Sequence, residues 1–161
     1  MQRPVGIYLI IAYLLLTVLG SIENLTRLLQ PDYPSIPLFG TIALPKAAGV
    51  LLAAITTILN GLCTYGLFQK KKWGLHLTIA LMAFSIIASL ATLPNLSAVT
   101  KNTMEFLIAS GNVAEGSETA TQSLLQTILY ASIIIGILLS TIIAFYLYKK
   151  KDYFNDAAKA F

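Results

Sequence analysis

Four long runs without a charged residue constrain the fold of this chain more than any other feature. They cover residues 5–22, 47–68, 73–93 and 124–148, and none contains Asp, Glu, Lys or Arg. A helix of about 20 residues crosses a hydrocarbon core of about 30 Å. A helix also satisfies its own backbone hydrogen bonds, which lipid requires. The sequence therefore predicts four transmembrane helices.

The composition supports an integral membrane protein. Of the 161 residues, 57% are hydrophobic and 11% are charged, whereas soluble domains carry about 25% charge. We expect one transmembrane domain over residues 1–161, in the all-α class, folded as a four-helix bundle. Its outer loops would be residues 23–46 and 94–123, and its cytoplasmic tail residues 149–161. The single cysteine, Cys63, excludes an internal disulfide.

Basic residues predict the orientation. Eight of the eleven lie on the side of the turn between the second and third runs, and three lie on the other side. The eight are Arg3, Lys70, Lys71, Lys72, Lys149, Lys150, Lys151 and Lys159. The positive-inside rule therefore predicts that both termini and this turn are cytoplasmic. Because the lysines cluster at helix ends and not on a soluble face, we expect no nucleic-acid partner.

The two halves of the chain resemble each other. The segment from Arg3 to Ala12 aligns with that from Lys71 to Ala80, with Gly6 opposite Gly74. The second and fourth runs both end in an aromatic residue, a leucine and a lysine cluster. This pattern predicts two hairpins of like orientation, as in transporters with parallel repeats. Any two apolar helices with basic starts would also look alike, so both interpretations stay open.

The second outer loop is long and polar, and such loops are usually functional or disordered. Within it, residues 103–111 have the pattern of a short helix that ends at Gly111. After Lys151, apolar residues recur at spacings of three and four. The tail is therefore either a short helix at the membrane interface or a frayed end of the fourth helix.

Catalytic groups are scarce in this sequence. The four runs contain no acidic residue, and His76 is the only histidine. A serine triad, a metal centre or a proton relay needs more such groups than the chain offers. We therefore expect a protein that is not an enzyme and has no metal or cofactor. We expect His76 itself to be an interfacial polar residue, and the alternatives are a pH sensor or a phosphate contact.

A few polar residues lie inside the apolar runs. The candidates for an intramembrane polar site are Asn60, Thr57, Ser85 and Ser132. Such residues either line a polar cavity or form hydrogen bonds between helices, each worth about 0.6–2 kcal/mol. Asn60 is the most polar of them, and its expected partners are serines of the third and fourth helices.

Small residues recur every fourth position along two runs. The second run carries Gly49, Ala53, Thr57 and Gly61, and the fourth carries Ser132, Gly136 and Ser140. Such stripes let helix backbones approach closely in lipid. They predict packing within a four-helix bundle, and they leave self-association into a homo-oligomer open.

The lysine clusters suggest a lipid contact. Arg3, Lys70, Lys71, Lys72, Lys149, Lys150 and Lys151 would form one positive patch at the cytoplasmic surface, where anionic lipid is attracted. The alternative is that these residues serve topology alone.

Two short motifs point to a family. They are Arg3-Pro4-x-Gly6-Ile7 at the start, and Tyr65-Gly66-Leu67 followed by Lys71-Lys72-Trp73-Gly74 at the turn. Over its first three helices the chain resembles a widespread group of small bacterial four-span integral membrane proteins of unknown function. The resemblance implies a multi-pass protein of the bacterial inner membrane and no established activity.

These observations favour a non-enzymatic accessory or interaction protein. Its outer loops would bind a protein partner, and its lysine-rich face would contact membrane lipids. The alternative is a small transporter or channel for a neutral or apolar solute, with a cavity near Asn60 and Ser85.

Overall fold

The computed structural model describes residues 4–30, 37–38, 42–43, 45–109, 111, 113 and 116–154. Five helices make up most of this part of the chain: α1 (Val5–Leu28), α2 (Lys46–Phe68), α3 (Lys72–Thr92), α4 (Leu96–Ala109) and α5 (Glu118–Lys149). Two short antiparallel strands, β1 (Pro37–Leu38) and β2 (Ile42–Ala43), lie between α1 and α2. A 3₁₀ turn, Leu93–Asn95, joins α3 to α4.

Prolines mark several helix boundaries. Pro4 and Pro45 directly precede α1 and α2, with φ angles of −58° and −53°. A proline is tolerated at a helix start because its missing N–H would have no intrahelical partner there. Pro94 lies in the 3₁₀ turn, where its missing N–H interrupts the hydrogen-bond pattern between α3 and α4. The chain therefore stays helical across Pro94 without forming one uninterrupted α-helix.

The prediction of four spanning helices in an all-α bundle is confirmed. Four helical segments are long and apolar enough to cross a membrane, which indicates a multi-pass membrane protein. Neighbouring pairs are α1 with α2, α2 with α3, and α3 with α5, and α1 meets α5 over a shorter length. We call the end where α1 and α3 begin, and α2 and α5 finish, the lysine end. The opposite end is the far end.

Buried residues are concentrated toward the lysine end. One apolar cluster there joins all four spanning helices, with Ile7, Ile10, Ile11, Leu14, Cys63, Leu67, Leu75, Met82, Ile143 and Leu147. Toward the far end of the spans, the buried residues are only Gly49 and Leu28 among those described. The bundle is therefore packed most closely at the lysine end.

The second outer loop is largely helical. α4 has 14 residues, and α5, with 32 residues, begins well before the predicted start at residue 124. At 1.5 Å per residue α5 is about 48 Å long, about 18 Å more than a hydrocarbon core. Since Lys149 lies at the lysine end, the excess lies at the far end, where α4 packs along α5. We call α4 and the first part of α5 the far hairpin.

Other predicted boundaries differ by smaller amounts. α2 and α3 begin within one residue of the predictions, while α1 continues to Leu28, past the predicted residue 22. The Glu23–Arg27 ion pair, one helical turn apart at 2.6 Å, lies in this extension. The helix expected at residues 103–111 is the second half of α4, and Gly111 follows it with a φ of +72°. The division into a single domain stays a prediction.

Candidate functional site

Six of the seven residues predicted to contact anionic lipid lie at the lysine end. Lys71, Lys72, Lys149, Lys150 and Lys151 are exposed and Lys70 is half-buried, while Arg3 lies outside the described residues. Two of the exposed lysines lie over aromatic rings of α5: the Lys149 ammonium is 4.7 Å from the Phe145 centroid, and that of Lys151 is 5.0 Å from the Tyr148 centroid. Such contacts hold a cation beside an apolar surface. This end therefore combines positive charge with an aromatic rim.

The turn between α2 and α3 is a Schellman motif. The Lys71 N–H donates to the Gly66 carbonyl at 2.9 Å, and the Lys70 N–H donates to the Leu67 carbonyl at 3.2 Å. Lys70 occupies the left-handed position of this motif, with a φ of +55°. Glycine is usual there, because any side chain adds about 1 kcal/mol or more of strain in this conformation. The backbone conformation of Lys70 therefore lowers the stability of the fold relative to a glycine at the same position.

Two glycines bring the ends of α2 and α3 into backbone contact. A Cβ added at Gly66 would lie 2.5 Å from the Gly74 Cα, and one added at Gly74 would overlap the backbone of Gly66. The Trp73 ring covers the same contact, at 3.0 Å from that added Cβ on Gly66. Only glycine at both positions permits this approach. The turn is therefore held by packing as well as by its hydrogen bonds.

The chain folds back on the bundle after α5. Residues 151–154 form one helical turn, and Phe154, with 0% exposure, belongs to the apolar cluster of the lysine end. Tyr153 packs edge-to-face on Phe154, with centroids 5.3 Å apart, and the Lys70 ammonium lies 5.6 Å from the Tyr153 centroid. Residues 151–154 therefore contact the bundle, and the rest of the predicted tail lies outside the described residues.

The predicted intramembrane polar residues do not converge. Asn60 is 8% exposed, and its amide donates to the Thr56 carbonyl of its own helix at 3.0 Å. Thr57 likewise donates to the Ala53 carbonyl of α2 at 2.8 Å. Ser132 is exposed and donates to the Leu129 carbonyl within α5 at 2.9 Å. Bonding of this kind to the preceding turn is typical of hydroxyl residues in membrane helices.

Ser85 is half-buried on α3, three residues beyond the buried Met82. It therefore continues the buried face of α3, whereas the exposed Ser132 lies off the buried face of α5. The expectation of a serine partner for the Asn60 amide from these residues is not met by the hydrogen bond that the structure shows. Asn60 is thus a helix-internal polar group in this fold.

The predicted small-residue stripes do not make the closest contacts. An added Cβ at Gly49, Gly61 or Gly136 would meet nothing within 4 Å. The close approach is instead at Gly66 with Gly74, and at Gly6, where an added Cβ would overlap the Tyr146 ring. Gly6 and Gly74 are the two glycines that the predicted repeat aligns. Each lies in the first turn of its helix and packs on the last turns of another helix.

A crevice lies between α1 and α2 toward the far end. Its volume is about 170 Å³, and it is lined by Ser21, Asn24, Gly49, Leu52, Ala53 and Thr56. Hydroxyls of Ser21 and Thr56 donate to carbonyls of their own helices at 2.8 Å. Asn60 and Ser85 are not among the lining residues. The sequence signal for this crevice is Gly49 within an apolar run, a position for which the small-residue stripe predicts helix packing.

Helix α4 of the far hairpin has a buried face and an exposed face that carries charged residues. Leu96, Thr100 and Met104 are buried, with Met104 at 5% exposure, and they recur every fourth residue. The exposed side of α4 carries Lys101 and Glu105, whose charged groups are 3.9 Å apart. A helix fixed on one side in this way presents its other side in a defined arrangement.

His76 is exposed at the lysine end. Among the described residues, no group of three His, Cys, Asp or Glu side chains lies close enough to hold a metal ion. The resemblance to small bacterial four-span proteins rests on the motifs at Gly6, Gly66 and Gly74, which are also the positions of closest contact. Comparison with protein-family models, with curated proteins and with solved structures finds no match, so the family stays a prediction.

Proposed function

We propose that this chain is a non-enzymatic accessory protein of the bacterial inner membrane. In this proposal the far hairpin binds a protein partner outside the cytoplasm, and the lysine end contacts anionic lipid at the cytoplasmic surface. The observation that carries the proposal is the far hairpin, which continues about 18 Å beyond the length needed for spanning. Spanning alone does not require those helical turns.

The arrangement of the far hairpin supports a binding role. Its buried face fixes α4 against α5, so little ordering remains to be done when a partner binds. Its exposed face combines a Lys–Glu pair with small residues such as Ser97 and Ala98. The charged pair and the small residues of α4 suit specific contact with a second protein, and the hairpin adds the exposed apolar side chains of Ile108, Leu124 and Ile128 to this surface.

Photo-crosslinking tests the partner surface. A benzophenone side chain would be placed at Asn102 or Glu105 on the exposed face of α4, and at Leu138 on the exposed surface of α5 as the control. We expect the α4 positions to give one protein adduct. The yield of this adduct should fall when Ala98→Arg is introduced on the same face of α4. The same adduct at Leu138, or an adduct that Ala98→Arg leaves unchanged, would contradict the proposal.

Native mass spectrometry tests the lipid contact. We expect the wild-type protein to retain phosphatidylglycerol or cardiolipin, and the Lys149→Gln, Lys150→Gln, Lys151→Gln triple variant to retain less. Lys101→Gln, at the other end of the molecule, is the matched control and should retain as much as the wild type. Equal retention by the triple variant would limit these lysines to setting topology.

A transporter for a small neutral solute is the second candidate, and the crevice of about 170 Å³ favours it. Gly49→Leu would fill the crevice, since an added Cβ meets no atom within 4 Å. Gly136→Leu, at a glycine of α5 that is equally open, is the control. Glycerol permeation into proteoliposomes should exceed that of empty vesicles and fall with Gly49→Leu alone. Permeation equal to that of empty vesicles would remove this candidate.

A further inference from the structure

We propose that residues 151–154 form a latch that closes the lysine end of the bundle, and that release of this latch opens the buried cluster around Cys63 to water. The latch is a reversible conformational element of the chain, distinct from its lipid and partner contacts. The juxtaposition that carries the proposal is the completely buried Phe154, with Tyr153 lying between it and Lys70 of the α2–α3 turn.

The Phe154 ring covers the apolar cluster at the lysine end of the bundle. It is 0% exposed and belongs to the same contiguous apolar cluster as Cys63, Leu67 and Leu147. Helix α5 ends at Lys149, so the ring of Phe154 comes from beyond the last spanning helix. The cluster is therefore completed by a side chain from outside the spanning helices, which a movement of residues 151–154 alone would remove.

Unfavourable terms are concentrated where the latch meets the turn. Lys70 has a φ of +55° at a position where glycine is usual. The Tyr153 hydroxyl is buried and has no hydrogen-bond partner within the part of the chain that the structure describes. The latch begins with Lys151, directly after Lys149 and Lys150, so three positive charges are adjacent along the chain at this point. Release of the latch lets water solvate the Tyr153 hydroxyl, which offsets part of the cost of exposing Phe154.

The contact of the Lys70 side chain with Tyr153 gives a reason for a lysine at this strained position. Its ammonium lies 5.6 Å from the Tyr153 centroid, in the range of a cation–π contact. A glycine at this position would relax the backbone and leave Tyr153 without this contact. The turn therefore has a backbone cost at the residue whose side chain contacts the latch.

Cys63 is a built-in reporter for the latch. It is the only cysteine of the chain, its thiol is free, and it is 0% exposed. It lies seven residues before Lys70, about 10 Å along the helix. A water-soluble charged maleimide therefore reacts with it only when the lysine end opens.

The test uses the full chain in lipid nanodiscs and follows maleimide labelling of Cys63 by intact mass. Phe154→Ala should raise the labelling rate about tenfold or more, since truncating a core phenylalanine strongly favours the open state. Phe84→Ala, which removes a 59% exposed ring of α3, is the matched control and should leave the rate unchanged. Circular dichroism confirms that both variants remain helical. Equal rates in Phe154→Ala and wild type would overturn the proposal.

If Phe154→Ala does not fold, the wild-type protein still decides the question. A latch predicts that Cys63 labels through a partial opening, so its rate rises less steeply with denaturant than the rate of global unfolding. Labelling that tracks global unfolding at every denaturant concentration would show that the lysine end has no separate open state, and would overturn the proposal.

Discussion

Replacement of Gly66 by alanine probes the contact between α2 and α3 directly. The added methyl would lie 2.5 Å from the Gly74 Cα, whereas ordinary van der Waals contacts of a Cβ begin at 3.4 Å. The two backbones must therefore separate by about 1 Å, which loses a quarter to half of the dispersion energy across the contact. Overpacking of this kind destabilises by about 1–3 kcal/mol. Because the obstacle is backbone, we expect the upper part of this range, about 2–3 kcal/mol, or 30- to 150-fold in the folding equilibrium.

The assay is reversible unfolding in mixed micelles by titration with dodecyl sulfate, followed by circular dichroism and by fluorescence of Trp73, the only tryptophan. Gly136→Ala is the matched control, because an added Cβ there meets nothing within 4 Å. That variant should equal or exceed the wild type in stability, since alanine favours the helix over glycine by about 1 kcal/mol. A free energy of unfolding for Gly66→Ala within about 0.5 kcal/mol of the Gly136→Ala value would refute the reasoning.

Three further variants test other parts of the structure by the same unfolding assay. Tyr153→Phe removes a buried hydroxyl without a partner and keeps the ring, so the free energy of unfolding should rise by about 1 kcal/mol; a decrease would indicate a hydrogen bond in the membrane-embedded protein. Asn60→Ala should lower the free energy of unfolding by about 1 kcal/mol, because packing and an intrahelical hydrogen bond are lost. Ser132→Ala, at an exposed position, should change it by less than about 0.5 kcal/mol. Equal effects of the two variants would contradict the assignment of Asn60 as buried and Ser132 as exposed. Met104→Ala should raise amide hydrogen exchange across the far hairpin, because core truncations destabilise by about 2–5 kcal/mol, and unchanged exchange in α4 would mean that its buried face contributes little.

The spanning helices could be predicted from the sequence because lipid leaves few alternatives. The charge-free runs predict the boundaries of α2 and α3 to within one residue, since these helices begin at Lys46 and Lys72, directly before the apolar residues. The extensions of α1 and α5 could not be found in this way. There the chain is polar, and the helix is supported by short-range pairs such as Glu23 with Arg27, which hydropathy does not register.

The candidate site was predicted in part. The order of the helices alone brings the lysine clusters to one end. The contacts that these lysines make could not be predicted, because they depend on an exception to a sequence rule: a lysine occupies the glycine position of a Schellman motif. Gly66 and Gly74 flank the turn almost symmetrically, which was a signal for their contact. The stripes at Gly49 and Gly136 had the stronger pattern, but which stripe packs depends on how the helices cross.

The uneven packing along the spans has a mechanical consequence. The lysine end is tied together by glycine contacts, aromatic rings and the folded-back tail, whereas the far halves of α1 and α2 share few buried side chains with α3 and α5. Surrounding lipid therefore supplies much of the lateral support for those halves. A thinner bilayer is accommodated by helix tilt, so we expect the helices to pivot about the lysine end, with the largest displacement at the far hairpin.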